Sequence, residues 1–281
     1  MVAVPALTIP YTMSNTRCSP TPKALLGKCR TCRLFKIPLP VNVVVLGGRA
    51  TVLKFAQKGW GCAFSYVKNS AAAEETVSLA NKINPELKIK SFQLDIKDPK
   101  QVEKVVETAL NDFENIHAVV NNAAIVRNNA AVMMSDEEWT EVLDANLSGP
   151  FYVTRSLLMH FISNKNGRII NISSLAQDGC SGQVNYAASK AGLIGMTRTL
   201  AKEYGPKGIT SNIVTVGYVQ TEMTKEHMAG QLHDFWMKHC PLKKISSAED
   251  VAHLIYFLCS QEGSFINGEV IRISGGLTYA P

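Results

Sequence analysis

From Val41 onward the chain alternates between two hydrophobic rhythms. Short apolar runs at Val41–Leu46, Cys62–Val67, Ile89–Leu94, Ala118–Val120, Gly167–Ser174, Thr210–Val216 and Val270–Ile273 show little polar alternation and read as strands buried on both faces. Between them lie longer stretches with apolar residues at three- and four-residue steps: Thr51–Lys58, Ala71–Ile83, Gln101–Phe113, Asp136–Asn146, Phe151–Phe161, Asn185–Tyr204 and Ala248–Cys259. These read as helices with one face toward a core. Strand and helix taking turns is the pattern of βαβ units, so residues 41–281 are expected to form one α/β domain around a mostly parallel sheet.

Residues 1–40 follow neither rhythm. They hold six prolines, among them Pro5, Pro20 and Pro38, many hydroxyl side chains, and basic residues from Arg17 to Lys36, while the first acidic residue of the whole chain is Glu74. Basic, hydroxyl-rich and acid-free is how an organelle transit peptide reads, although the prolines leave little room for a long amphipathic helix. A disordered extension with no address reads equally well. The expected location is correspondingly the mitochondrial matrix or the cytoplasm.

Composition excludes more than it names. A chain of 281 residues with 46% apolar content can bury a full core. No run approaches the ~18 apolar residues of a membrane span. A net charge of +6 suits solubility, an anionic cofactor or an acidic carrier. No stripe of basic residues interleaved with aromatics points to nucleic acid. Seven cysteines, an odd number, argue against a disulfide framework and for a reducing compartment. Cys29 and Cys32 have metal-ligand spacing but no second pair, and His233, His239 and Cys240 sit in an amphipathic stretch, so no metal site is expected.

The candidate chemistry gathers around Tyr186 and Lys190, which share a helix face at a spacing of four. A phenol that must exchange a proton near neutral pH starts about three pKa units too high, a deficit of ~4 kcal/mol. A cation beside the ring favours the phenolate and offsets much of it. With eight tyrosines in the chain such a pair also arises by accident, as a solvated Tyr and Lys. Three further motifs lie upstream: Gly167–Ser174, a strand closing on two hydroxyls; Asp144–Gly149, with Asn146 polar in an apolar helix; and Val119–Ala124, an apolar strand closing on Asn121 and Asn122.

With four motifs in this order, Val41 to Leu277 resembles the short-chain dehydrogenase/reductase family, and within it the β-ketoacyl-acyl-carrier-protein reductases and carbonyl reductases. The resemblance implies a single doubly wound Rossmann-type domain with a seven-stranded sheet and a substrate lid at about 217–243. It implies a homo- or hetero-tetramer built on the helices Asp136–Asn146 and Phe151–Phe161. The implied reaction is NADPH-dependent reduction of a carbonyl, a β-ketoacyl thioester carried by a small molecule or a carrier protein. Ser174 would bond the substrate oxygen and Tyr186 would protonate it. Lys190 would lower the phenol's pKa and hold the nicotinamide ribose, and Asn146 would hold a relay water. Counting back from Tyr186 selects Ser173 instead, but strand alternation favours Ser174, with the other serine facing the core. Basic residues at a carrier-docking mouth correspond to Lys165 and Lys207.

On the cofactor side the resemblance places Gly47 and Gly48 at the pyrophosphate, Asp95 and Ile96 at the adenine, and Asn122 beside the cofactor. Tyr186, Lys190, Val219 and Thr221 would meet the nicotinamide half. Lys68 follows the second strand, where no carboxylate stands to grip a ribose 2′-hydroxyl, and this favours NADP over NAD. Asn121 is expected to tie strands together. Departures gather here: the glycine turn lacks about five residues, Ala124 and Val216 replace Gly and Pro, and Ser274 replaces Asp. Five helical residues span about 7.5 Å, so the amides of the turn stand to lie short of the phosphates. A non-catalytic or cofactor-impaired assembly subunit of the same fold is therefore the competing expectation.

Overall fold

The computed structural model describes residues 41–220 and 231–278. The extension 1–40, Thr221 and the Met223–Met228 part of the expected lid lie outside the described residues.

Strand β1 (Asn42–Leu46) is buried along its whole length, as its unbroken apolar run requires. It passes through Gly47 and Gly48 into α1 (Arg49–Gln57), followed by β2 (Gly61–Tyr66), α2 (Ser70–Ile83), β3 (Ile89–Gln93), α3 (Pro99–Asp112) and β4 (Ile116–Asn121). Asp98 caps α3 by accepting from Lys100 and Gln101, and Pro99 fills the first helical position, where no N–H is needed. Helix α4 (Asp136–Leu143) opens with a capping box between Ser135 and Glu138. A π turn over Asp144–Ser148 joins it to α5 (Gly149–Asn164), so the stretch Asp136–Asn146 is not one regular helix. Then come β5 (Gly167–Ser174), α6 (Val184–Tyr204), β6 (Ile209–Val216), β7 (Val219–Gln220), α7 (Gln231–His239), β8 (Ser246–Ser247), α8 (Ala248–Cys259) and β9 (Val270–Ile273).

Seven strands form one parallel sheet in the order β3-β2-β1-β4-β5-β6-β9, and β7 pairs with β8 in a small parallel ladder that the apolar pattern did not signal. The two faces separate cleanly along β1. Val43 and Val45 pack with Phe55 of α1 and Ile255 of α8, while Val44 and Leu46 pack with Val106 of α3 and Leu157 of α5. Burying each such side chain stabilises the fold by ~1.5–3 kcal/mol. Because β1 has β2 on one side and β4 on the other, connections diverge at its C-terminal end and open a crevice, the position where doubly wound sheets bind ligands.

A buried polar line crosses the sheet. Asn121 Nδ2 donates to Thr154 Oγ1 of α5 and Asn171 Oδ1 of β5, and Asn171 Nδ2 donates to Thr197 Oγ1 of α6. Asn121 is thus a tie between strands and helices, and it sets α6 against β5.

Candidate active site

Ser174 ends β5 and caps the short turn Leu175–Asp178, its Oγ accepting from the Ala176 N–H at 3.2 Å. Tyr186, on the first turn of α6, hydrogen-bonds to Ser174. Ser173 faces away: its buried hydroxyl lies 2.7 Å from Gln177 Oε1 and 3.2 Å from the Lys190 carbonyl. The period-two alternation of β5 therefore sets Ser174 beside the phenol and Ser173 in the core.

The start of α6 is fixed by a residue that sequence reasoning passed over. Asn185, fully buried, accepts from the Tyr186 N–H at 2.7 Å and donates to the carbonyls of Arg127 and Glu138 at 3.2 and 3.1 Å. An amide immediately before the tyrosine was the available signal. One helical turn on, Lys190 is 3% exposed; its Nζ donates to the Ile172 carbonyl at 2.8 Å and stands 5.6 Å from the centre of the Tyr186 ring. Ring and amine thus lie together.

Asn146 is also fully buried. Its Oδ1 accepts from the Ile125 N–H at 2.8 Å, and its Nδ2 donates to the Ile125 carbonyl at 2.9 Å and to Ser189 Oγ at 3.2 Å. Ser189 in turn donates to the Tyr186 carbonyl at 2.7 Å. Both ends of the Asn146 amide are thereby occupied, and the side chain connects the β4 loop to the turn that carries the phenol.

Electrostatically, the site departs from expectation. Burial raises the Tyr186 pKa above its ordinary value, and the Ser174 hydrogen bond only partly opposes it. Burial also lowers Lys190 to about 8. The ammonium lies over the ring and both groups are desolvated, so each charged form is disfavoured and the expected acidification of the phenol does not dominate. The Cys180 thiol, half-buried in the loop before α6, also acts to raise the phenol.

On the cofactor side, Gly47 and Gly48 have φ of +71° and +93°, left-handed conformations open to glycine. The turn closes at once into α1, two residues earlier than the expected Thr51, and Thr51 and Val52 both donate to the Gly48 carbonyl. Arg49 and Ala50 are left as first-turn amides without a partner in the helix. A side chain at Gly48 would come within 3.0 Å of Asn122 Nδ2, so the turn is a cradle that only glycine leaves open. Free amides at a helix N-terminus beside a crevice fit an anionic diphosphate. The residues present therefore fit a dinucleotide, held by a shortened turn.

The other expected cofactor residues are spread along the same edge. Lys68 is exposed after β2. Arg49, which sequence reasoning did not select, reaches from α1 to Thr76 at 3.1 Å and Glu75 at 2.6 Å. Asp95 accepts from the Lys97 N–H at 3.0 Å, and Ile96 is buried, packed under Gly149. Val219 is buried in β7. Lys165 and Lys207 are not brought to the site. They precede β5 and β6, at the opposite edge of the sheet, and the eight residues of β5 alone span about 23 Å. Within one chain they cannot stand at the mouth beside Tyr186, because strand direction puts them at the other end.

Comparison with known proteins places this arrangement among reductases. Residues 48–278 match a family model described as enoyl-(acyl carrier protein) reductase. The chain is 38% identical over 234 residues to the 3-oxoacyl-(acyl-carrier-protein) reductase of Thermotoga maritima, covering 82% of this chain and 92% of the relative. With the protein of that name from Escherichia coli it is 36% identical over 189 residues, 67% of this chain and 77% of the relative. Among solved structures it is similar to a mutant short-chain dehydrogenase/reductase of Serratia marcescens (TM-score 0.78, 28% identity, 85% of this chain and 98% of that one). It is also similar to levodione reductase (TM-score 0.79, 28% identity, 84% and 96%).

Proposed function

The chain belongs to the short-chain dehydrogenase/reductase family, oxidoreductases acting on C=O and CH–OH groups, and from that premise we propose that it is an NADPH-dependent reductase of 3-oxoacyl thioesters. The observation that carries the reading is the Ser174–Tyr186 hydrogen bond with Lys190 buried against the ring. Two hydroxyls meeting at one point are what a carbonyl oxygen needs on becoming an alkoxide, and this favours C=O reduction over the C=C reduction that the family model's description names.

A bound nicotinamide supplies the hydride. Ser174 hydrogen-bonds the substrate oxygen, and Tyr186 transfers its proton to that oxygen as negative charge develops. A phenol held above its ordinary pKa is fully protonated at neutral pH, the form reduction requires. Lys190 stabilises the phenolate left behind. Asn146 and Ser189 hold the carbonyl of Tyr186 and so fix where the ring stands.

NADPH is preferred to NADH on two grounds: no acid follows β2, and Lys68 does. Assembly as a homo- or hetero-tetramer is supported by Phe151 and Met159, exposed on one face of α5. Residues 1–40 are proposed as a targeting or disordered extension, and a mitochondrial matrix or cytoplasmic location rests on their composition alone.

Fluorescence titration with NADPH and NADH, followed by acetoacetyl thioester and loss of reduced-cofactor absorbance, tests the reading. Micromolar NADPH affinity with turnover is the expected result. No binding at millimolar cofactor would replace this reading with that of a non-catalytic subunit.

A further inference from the structure

The turn that follows Ser174 is anchored by side chains. Ser174 pairs with Val216 at the last position of the β5–β6 ladder, so the sheet no longer guides the chain beyond it. The short turn Leu175–Asp178 closes where the Gly179 N–H donates to the Ala176 carbonyl at 2.9 Å, and a single turn of this kind does not support itself. Its placement nevertheless decides where Ser174 points, because the Ser174 Oγ accepts from the Ala176 N–H within it.

A row of polar residues, in register on three adjacent strands, holds the turn. Ser173 of β5 pairs with Thr215 of β6, and Thr215 with Arg272 of β9, so the three side chains leave the same face of the sheet. Gln177 is 8% exposed, and its Oε1 accepts from Ser173 Oγ at 2.7 Å and from Thr215 Oγ1 at 3.1 Å. The Asp178 carboxylate accepts from Arg272 Nη2 at 2.5 Å, and Arg272 Nη1 donates to the Thr278 carbonyl at 3.3 Å. The inner bonds are the stronger constraint. Asp178 and Arg272 are 42% and 38% exposed, where an ion pair is worth little, whereas Ser173 and Thr215 are buried, where a hydroxyl must keep its acceptor. The Ser173 hydroxyl also lies 3.2 Å from the Lys190 carbonyl, on the helix that carries Tyr186.

We propose that Gln177 is a positioning residue for the reaction: by tying the turn to Ser173 and Thr215 it holds the Ser174 hydroxyl within reach of the Tyr186 phenol. It acts through Ser174 and not on the substrate itself. The kinetic consequence rests on the reductase reading above; the geometric one does not.

Gln177→Met keeps the length of the side chain and removes the acceptor. It should lower kcat about tenfold, the scale of a small misplacement at a reacting group, with the KM for acetoacetyl thioester and the affinity for NADPH near native values. Made in a Ser174→Ala background, the same change should cost less than about twofold, because the hydroxyl it positions is gone. Equal losses in the two backgrounds, or a loss in KM in place of kcat, assign Gln177 to the general stability of the fold and overturn the proposal. Thr215→Val, which removes one of the two bonds without changing shape, should show the same pattern at about threefold, and it decides the question if Gln177→Met does not fold. A crystal structure of the folded variant supplies a readout free of turnover. The Ser174–Tyr186 separation should lengthen beyond hydrogen-bond distance, and an intact bond overturns the proposal whether or not any thioester is reduced. A broken bond, with no reduction of 3-oxoacyl thioester by the native protein, overturns the reductase reading alone.

Discussion

The two halves of the crevice are specified in different ways. Around β5 and α6 every functional side chain is held by other side chains or by named carbonyls: Asn185 by two carbonyls, Asn146 by Ile125 and Ser189, Lys190 by Ile172. Around β1 and α1 the work falls to backbone: two left-handed glycines and the free amides of a helix end. A site made of side chains requires particular residues at particular spacings, and those are present. A backbone site requires only a conformation, which a turn shortened to two glycines still supplies. Departures from the family pattern on the cofactor side are therefore less damaging than the same number would be beside Tyr186.

The sharpest way to break this contrast is at the phenol. Tyr186→Phe should lower kcat by about 10³-fold while leaving unfolding midpoint and NADPH affinity near the native values. Comparable residual turnover would show that another group protonates the substrate.

Lys190→Met should reduce turnover on a similar scale yet stabilise the fold. Burial lowers Lys190 from 10.5 to about 8, so between those pH values the unfolded chain binds the extra proton and native stability rises with pH. Below pH 8 the charged, buried amine costs about 3 kcal/mol relative to the unfolded state. Urea unfolding of the variant should show a gain of up to that size at pH 7, shrinking as pH climbs from about 8 toward 10.5. Reductase activity of the native protein should fall through the lower end of the same window, as the cation that supports the phenolate is lost.

On the backbone side, Gly48→Ala should cost about 1–2 kcal/mol of stability, because it forces a side chain into φ +93° against Asn122 Nδ2. Cofactor affinity should fall about tenfold, read by fluorescence titration. Adding Asn122→Ala should return part of the affinity by removing the collision, but not the strain. The smallest effect belongs to Lys68→Ala: NADPH affinity down a few-fold and NADH unchanged, since an exposed ion pair is worth ~0.2–1 kcal/mol. Equal loss for both cofactors would remove Lys68 from the 2′-phosphate.

Much of this was legible before any coordinates. Runs such as Val43-Val44-Val45 announce a strand buried on both faces, and the i, i+4 spacing of Tyr186 and Lys190 needs only helical geometry to become a contact. Alternation along β5 was enough to separate Ser174 from Ser173. For Asn185 the only local signal was an amide next to the tyrosine; its role was not legible, because the carbonyls it holds lie 58 and 47 residues away. Nor was it legible that Lys165 and Lys207 stand, within one chain, at the end of the strands away from Tyr186: distance along the chain does not state which end of a strand a residue occupies.

Periodicity along the chain was sufficient to give the elements, the parallel sheet and the residues that ride on each helix face. These follow from local geometry, which repeats every two or 3.6 residues. Only the tertiary structure decided the electrostatics of the phenol–amine pair and the early start of α1. The first depends on how much water the surrounding helices exclude, and the second on the left-handed turn at Gly47 and Gly48, which Asn122, just after β4, crowds. Neither quantity is written in the spacing of residues along one chain segment.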